Sequence, residues 1–202
     1  MIIHTKTFYK DTIPVEIKIE KFPVVIFTDS HTNIKNIEKL KELHPNNQLI
    51  CLGDITFLFA KSGEKYNSHS IQYFIDNKIP CLCGNHEEIV KDSDDITCEQ
   101  STYLKNLPRG FRLIAPDGKY YLLYHNKPES LWDRDNNPLN ELEFIKQYKL
   151  ENKDGILGVI RGHYHSSFIN NYIKCQLITV GRLSVDSDYL LINSNGVEFK
   201  CL

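Results

Sequence analysis

The stretch FPVVIFTDSHTNIKNIEKLKELHPNNQLICLGD, residues 22 to 54, decides how this chain folds. Its first eight residues form an almost continuous β-branched and aromatic run, the pattern of a strand buried on both faces. Ile34, Ile37, Leu40 and Leu43 then recur at helical spacing with Pro45 just beyond as a stop, so residues 33 to 43 predict a helix. NQLICLGD (47 to 54) predicts a second buried strand. SIQYFIDN (70 to 77) repeats the helical pattern, with Ile71, Phe74 and Ile75 on one face, and IPCLCGNHE (79 to 87) predicts a third strand. Such a β-α-β-α-β succession implies a parallel sheet with helices on its faces, and sheets of that kind collect functional residues at the carboxyl ends of their strands.

Outward from this core, residues 1 to 22 alternate polar and apolar (Val15, Ile17 and Ile19 against Glu16, Lys18 and Glu20) and read as a strand pair. Residues 88 to 106, polar and acidic, read as a helix or loop over the strand ends. FRLIAPDGKYYLLYH (111 to 125) predicts a hairpin about Asp117-Gly118, and ELEFIKQY (141 to 148) a helix. GILGVIRGHYH (155 to 165) is a further buried strand ending in polar residues, and the tail holds late strands with an Asn-Gly turn. No internal repeat or low-complexity linker interrupts the chain.

With 202 residues, 41% of them hydrophobic, one sizeable core and a single domain over residues 1 to 202 are expected. A formal charge of -2 offers no basic field for sequence-independent nucleic-acid binding. No apolar run approaches the roughly 20 residues of a membrane span, and charges interrupt the apolar residues of the first segment, so a soluble, cytoplasmic protein is expected. The six cysteines (Cys51, Cys81, Cys83, Cys98, Cys175, Cys201) form no CxxC pair. They read as reduced core thiols, with a zinc or disulfide framework as the alternative.

Each buried strand ends in residue types that ligate metals: Asp29-Ser30-His31, Gly53-Asp54, Gly84-Asn85-His86-Glu87, Tyr124-His125 and Gly162-His163-Tyr164-His165. Five of the eight histidines sit at these strand ends, whereas His4, His44 and His69 have no such context. Taken singly, Asp29 and Asp54 read equally as strand-end caps, Asn85 as a turn residue and His125 as a satisfied core histidine. Five such coincidences in order are another matter.

The ordered set DxH, GD, GNHE, a histidine after a strand, and GHxH resembles the calcineurin-like metallophosphoesterases over roughly residues 24 to 165. The resemblance implies a four-layer α/β/β/α sandwich with a dinuclear metal site at the carboxyl ends of the strands. It implies one divalent ion on Asp29, His31 and His165 and another on Asn85, His125 and His163, with Asp54 bridging. Mn is the ion the family most often carries, and Fe, Zn or Ni suit the same oxygen and imidazole donors. Phosphate esters are anionic and repel hydroxide, so two cations about 3.5 to 4 Å apart help twice: they lower the pKa of a shared water and neutralise phosphoryl charge. His86, in the GNH motif, is implied as the group that protonates the leaving oxygen or steadies the transition state. Asn33 reads either as a support for the first loop or as a helix N-cap, and Glu87 either as a partner for a histidine ligand or as a helix-start acid.

Two departures narrow the substrate. Where the protein phosphatases of this family carry GDxVDRG, this chain has GDITFLF, which removes the arginine that contacts phosphate, although GNHE and LWDRD (131 to 135) resemble that branch. Where the family often has NPGS, residues 179 to 184 read TVGRLS. Arg182, Arg161, Arg134 and Lys127 are candidate phosphate or leaving-group contacts, each equally readable as a surface charge, and Trp132 is a candidate to stack on a base or anchor a loop. The expected activity is hydrolysis of a phosphate mono- or diester of a small or nucleotide-derived molecule. A phosphoprotein phosphatase is the alternative, and a non-catalytic scaffold of the same fold is a third reading that the complete ligand set disfavours.

Overall fold

The computed structural model describes residues 14–58, 66–126, 154–172 and 175–202. Ten strands and four helices are defined among them. Strand β1 (Val15–Lys18) is followed by β2 (Val24–Phe27), α1 (Ile34–Leu43), β3 (Gln48–Cys51), α2 (Tyr66–Asn77), α3 (Asn85–Val90), α4 (Cys98–Lys105), β4 (Gly110–Ile114) and β5 (Tyr120–Tyr124). Then come β6 (Ile156–Arg161), β7 (Phe168–Asn171), β8 (Gln176–Thr179), β9 (Asp188–Asn193) and β10 (Gly196–Cys201).

Two sheets result, in the orders β10-β9-β2-β3 and β1-β4-β5-β6-β8-β7. The wholly parallel sheet expected from the alternation is corrected: β2 pairs parallel with β3 but antiparallel with β9, because the tail strand returns to the edge that a parallel crossover leaves open. The third strand expected over 79 to 87 shrinks to a single Cys51–Cys81 bridge, and its GNHE end opens helix α3 instead. At the N-terminus, β1 takes β4 as its partner in parallel register; the rest of the expected strand pair lies outside the described residues, as does the helix expected over 141 to 148.

Strand periodicity distributes the core into layers. Val25, Phe27, Leu49, Cys51, Tyr189 and Leu191 face Ile37, Leu40, Ile71 and Phe74 of the helices. Their neighbours Val24, Ile26, Ile50, Leu52, Leu190 and Ile192 face Phe111, Leu113, Tyr121, Leu123, Ile160 and Ile178 of the six-stranded sheet. A third cluster, including Tyr120, Leu122, Val159 and Leu177, lines that sheet's outer face, the face a fourth layer of an α/β/β/α sandwich covers. Each fully buried aliphatic or aromatic side chain contributes about 1.5–3 kcal/mol, so strands buried on both faces lock their register, and with it the positions of their ends.

Helix α1 starts where the sequence places it, with Asn33 Oδ1 accepting the Asn36 N–H at 3.3 Å. The same Asn33 donates to the Ser184 carbonyl at 2.9 Å, so helix cap and loop support are both realised in one side chain. Asp117-Gly118 makes the expected turn between β4 and β5, with Gly118 at φ +83°. Cys51, Cys81, Cys83 and Cys175 are buried, Cys98 and Cys201 exposed, and all six are free thiols. Among the described residues no helix is long and apolar enough to cross a membrane.

Candidate metal centre

The two sheets bring their carboxyl ends to one edge, where main-chain hydrogen bonds lace the loops together. Asp29 N donates to Gly53 O (3.1 Å), His31 N to Asp54 O (3.0 Å), Gly162 N to His125 O (3.0 Å) and Ser184 N to Asp29 O (3.2 Å). The loops turn sharply: Asp29, His31, Asp54, His163 and His165 all have positive φ, between 40° and 68°. Left-handed backbone at non-glycine residues is unfavourable and persists where surrounding bonds over-determine it, as at functional sites. Gly84 and Gly53 permit the close approach, since a Cβ on Gly84 would meet Asp54 N at 2.5 Å and one on Gly53 would meet Gly84 N at 2.8 Å.

All seven residues expected as ligands converge here, with His86 beside them. Asp29, His31 and His165 form one group of donors, Asp54, His125 and His163 a second, and His31, Asp54 and His86 a third, the donor atoms of each lying within 4.8 Å of one another. In the first group Asp29 Oδ1 is 3.2 Å from His165 Nε2 and 3.7 Å from His31 Nε2. In the second, His125 Nε2 lies 3.4 Å from Asp54 Oδ2, 3.0 Å from Asn85 Oδ1 and 3.3 Å from His163 Nδ1, which is itself 2.9 Å from Asn85 Oδ1.

The donor set fits divalent ions. Spacings of about 3 to 3.5 Å between neighbouring donors are the edges of a coordination polyhedron with bonds near 2.1 Å. Asp29 Oδ1 is buried without a hydrogen-bond partner, an arrangement that costs about 1–3 kcal/mol unless a cation takes the lone pair. Its other oxygen, Oδ2, is satisfied by Thr28 Oγ1 at 2.6 Å and by His163 N at 3.0 Å, which fixes the carboxylate plane.

Hydrogen bonds to carbonyls set the histidine tautomers. His125 Nδ1 donates to Leu52 O (3.0 Å), leaving the Nε2 lone pair toward Asp54 and Asn85. His31 Nδ1 and His86 Nδ1 both donate to Thr56 O, at 3.1 and 2.9 Å, and so present Nε2 to the carboxylates. Thr56 is a site residue the sequence reading missed; its role runs through a main-chain carbonyl, which no side-chain motif encodes.

Electrostatics follow from burial and the two carboxylates. Burial alone raises the Asp29 carboxyl, but the facing His165 imidazole, the charges of His125 and His31, and Thr28 hold it well below its ordinary range. Burial works against charge on His125, yet Asp54 and Asp29 push it up to about 9. His163, desolvated and repelled by His125, falls to about 4 and stays a neutral donor. Burial and the Asp54 charge raise Glu87, whose Oε2 accepts from Asp54 N (2.8 Å) and Gly84 N (2.9 Å) while Oε1 accepts from Thr56 N (3.0 Å) and Thr56 Oγ1 (2.8 Å). Of the two sequence readings of Glu87, the helix-start acid holds, since it is the third residue of α3; the carboxylate bonds to the turn at Asp54, Thr56 and Gly84 rather than to a histidine ligand.

The two described arginines among the substrate-contact candidates are engaged within the protein. Arg182 is ion-paired with Asp186 at 2.8 Å, and Arg161 is buried, its Nε bonded to Thr179 Oγ1 at 3.1 Å and its guanidinium stacked 4.2 Å from the Tyr164 ring. Lys127, Trp132 and Arg134 lie outside the described residues.

Residues 22–167 match the model of a family described as calcineurin-like phosphoesterase. No curated protein matches the chain in sequence. Among solved structures, it is similar to a metallophosphoesterase from Sphaerobacter thermophilus, at 16% identity over 90% of this chain and 88% of that one, with a TM-score of 0.65. A protein described provisionally as a diadenosine tetraphosphatase aligns at 14% identity over 92% and 96%, TM-score 0.60. A Saccharomyces cerevisiae protein serine/threonine phosphatase aligns at 12% identity over 96% and 85%, TM-score 0.57. At such identities the likeness is one of fold alone.

Proposed function

On the premise that this chain belongs to the calcineurin-like phosphoesterase family and so hydrolyses phosphate esters with a divalent metal ion, we propose that it cleaves a mono- or diester of a small or nucleotide-derived molecule at a site for two divalent ions. Asp29, His31 and His165 would hold one ion and Asn85, His125 and His163 the other, with Asp54, which lies among donors of both groups, available to either, and Mn is the ion we favour. The reduced thiols suit a cytoplasmic setting.

One observation carries this reading: the buried, unpartnered Asp29 Oδ1 faces two histidine nitrogens, beside a second ring of donors whose lone pairs converge. Bound divalent ions supply Lewis acidity, lowering the pKa of water and neutralising phosphoryl charge. The chain's residues do the rest. Carbonyl-fixed histidines keep the ligands in place without reorganisation during reaction. Water oxygen joins phosphorus and sheds a proton to solvent, the bond to the leaving oxygen breaks, and His86 delivers a proton to that oxygen and is reprotonated from solvent; its Nε2 lies 3.7 Å from Asp54 Oδ2 and its ring is held by Thr56 O.

The test is turnover of p-nitrophenyl phosphate and bis(p-nitrophenyl) phosphate by purified protein supplied with Mn. Asp54→Asn and His86→Ala should each abolish it, and robust turnover by either variant overturns the assignment. A preference for phosphopeptides over nucleotides would move the substrate to the protein-phosphatase alternative, which the GDITFLF loop disfavours.

A further inference from the structure

The carbonyl that orients His31 and His86 belongs to a peptide group whose other end is also held. Thr56 O and Phe57 N lie in one planar trans amide, so they point in opposite directions and turn together. On one side Thr56 O accepts from His86 Nδ1 at 2.9 Å and from His31 Nδ1 at 3.1 Å. On the other, Phe57 N donates to Asn67 Oδ1 at 2.7 Å, and Asn67 Nδ2 returns a bond to Phe57 O at 3.0 Å. The direction of the Asn67 amide is thereby settled, since a main-chain N–H must meet its oxygen. Asn67 is 7% exposed and is the second residue of α2, whose Ile71 and Phe74 are fully buried in the core. The same end of that helix is tied down by Ser70 Oγ, which donates to Ile55 O at 2.8 Å, and by Gln100 of α4, which bonds both the hydroxyl and the carbonyl of Ser68.

A buried asparagine that closes on a loop most often satisfies backbone groups and does no more, and what sets Asn67 apart is the peptide it holds. Rotating that amide carries Thr56 O off the two imidazoles. The bond at its N–H end also polarises the carbonyl at the far end, which strengthens the acceptor the histidines use. The two histidines do not depend on it equally. His31 is one of the assigned ligands, so a bound ion gives it a second anchor, whereas His86 is outside that set and its Nδ1 rests on Thr56 O. His86 Nε2 stands 3.7 Å from Asp54 Oδ2, so a ring released from the carbonyl is drawn to place its proton on that nitrogen, facing the carboxylate.

We propose that Asn67 is a positioning residue for proton delivery: through the Thr56–Phe57 peptide it fixes the His86 ring so that the Nδ1 proton points to Thr56 O and Nε2 faces the leaving oxygen. This rests on the phosphoester reading of the adjacent cluster and names a residue, outside the ligand set and its motifs, on which that reaction depends. The chemistry is unchanged: His86 gives its Nε2 proton to the leaving oxygen and recovers one from solvent.

The experiment compares phenyl phosphate with p-nitrophenyl phosphate, and the methyl diester of each, on full-length protein saturated with Mn. The more basic the leaving oxygen, the more its departure depends on a delivered proton, so the phenyl esters report on His86 more strongly than the nitrophenyl esters do. A misplacement of about 1 Å can cost about 100-fold in rate, so Asn67→Ala should lower kcat on the phenyl ester about 10- to 100-fold with KM nearly unchanged, and should lower the phenyl-to-nitrophenyl ratio of kcat about tenfold. Asn67→Leu, which fills the volume but makes neither bond, should behave alike and serves where the smaller side chain does not fold. Asn67→Asp keeps the acceptor for Phe57 N and loses the donor to Phe57 O, so it should be less stable yet keep the wild-type ratio. Ser70→Ala removes a buried bond from the same loop without touching the Thr56–Phe57 peptide, and should lower stability while leaving the ratio alone. A second readout needs no turnover. Nitrogen NMR shifts of the His86 ring, at a pH where it is neutral, should show the Nδ1–H tautomer in wild type and Asn67→Asp and an added Nε2–H population in Asn67→Ala and Asn67→Leu, in chelated protein and with Zn added. A ratio that Asn67→Ala and Asn67→Leu leave unmoved, a ratio that falls equally in Ser70→Ala, or an unchanged His86 spectrum overturns this inference alone. Hydrolysis of none of the four esters by the wild type overturns the small-ester reading and this inference with it.

Discussion

Replacing Glu87 tests whether one buried carboxylate holds the loops of the site in place. Its two oxygens accept four hydrogen bonds, from the N–H groups of Asp54, Gly84 and Thr56 and from the Thr56 hydroxyl, at 2.8 to 3.0 Å in a fully buried position. In Glu87→Gln the amide oxygen can keep Asp54 N and Gly84 N, while the NH2 group turns to Thr56. The Thr56 hydroxyl can rotate to accept, but the Thr56 N–H then faces another donor. One orphaned buried N–H costs about 1–3 kcal/mol, partly offset by the loss of repulsion between Glu87 and Asp54, for a net near 2 kcal/mol. For a chain of this size that lowers Tm by about 4–8 °C. Glu87→Ala orphans three backbone donors and should cost about 3–6 kcal/mol. Thermal unfolding in the presence of a chelator measures both without a contribution from bound metal. The order wild type, Gln, Ala is required. Variants that unfold within a degree of wild type, or of each other, refute the idea that this carboxylate satisfies the turn.

Gly84→Ala forces a Cβ against Asp54 Oδ1 and to 2.8 Å from Glu87 Oε2, so the protein should lose about 1–3 kcal/mol and bind less than its normal complement of metal; elemental analysis showing full loading would contradict this. Asn33→Ala removes the cap of α1 and the link to Ser184 O, with an expected loss of about 1–2 kcal/mol in urea unfolding, and no change in midpoint would count against the double role. The metal-free protein should have a stability optimum in pH. The His125 contribution, with its pKa raised to about 9, is fully present below the unfolded value of about 6.5 and fades as pH rises through 9; His163, lowered to about 4, withdraws stability as pH falls from 6.5 through 4. A chelated sample whose stability climbs steadily from pH 6.5 to 9 would refute that sign. Metal loading at pH 7 should release a proton from His125, and calorimetry in buffers of different ionisation enthalpy should detect it.

Much of the site was legible because its ligands sit at predictable places. A strand buried on both faces must be apolar along its length, so the polar residues that close it stand out, as at Asp29, Asp54, His125 and His163. Periodicity likewise placed α1, β2, β3 and the β4–β5 hairpin. What misled was IPCLCGNHE: an apolar run of strand composition makes only one bridge, because its chain must turn at Gly84 to aim Asn85 and His86 at the cluster. Hydrophobicity records that a segment is buried, and it does not record which partner takes its hydrogen bonds.

From sequence alone, then, came the apolar strands, the helix between them and the residue types at each strand end, all matters of local pattern. Only the tertiary structure decided that β9 returns antiparallel beside β2, that Arg161 is buried under Tyr164, and that a single carbonyl, Thr56 O, orients both His31 and His86. These depend on contacts between residues far apart in the chain and on backbone atoms that every residue possesses, so no side-chain pattern could announce them.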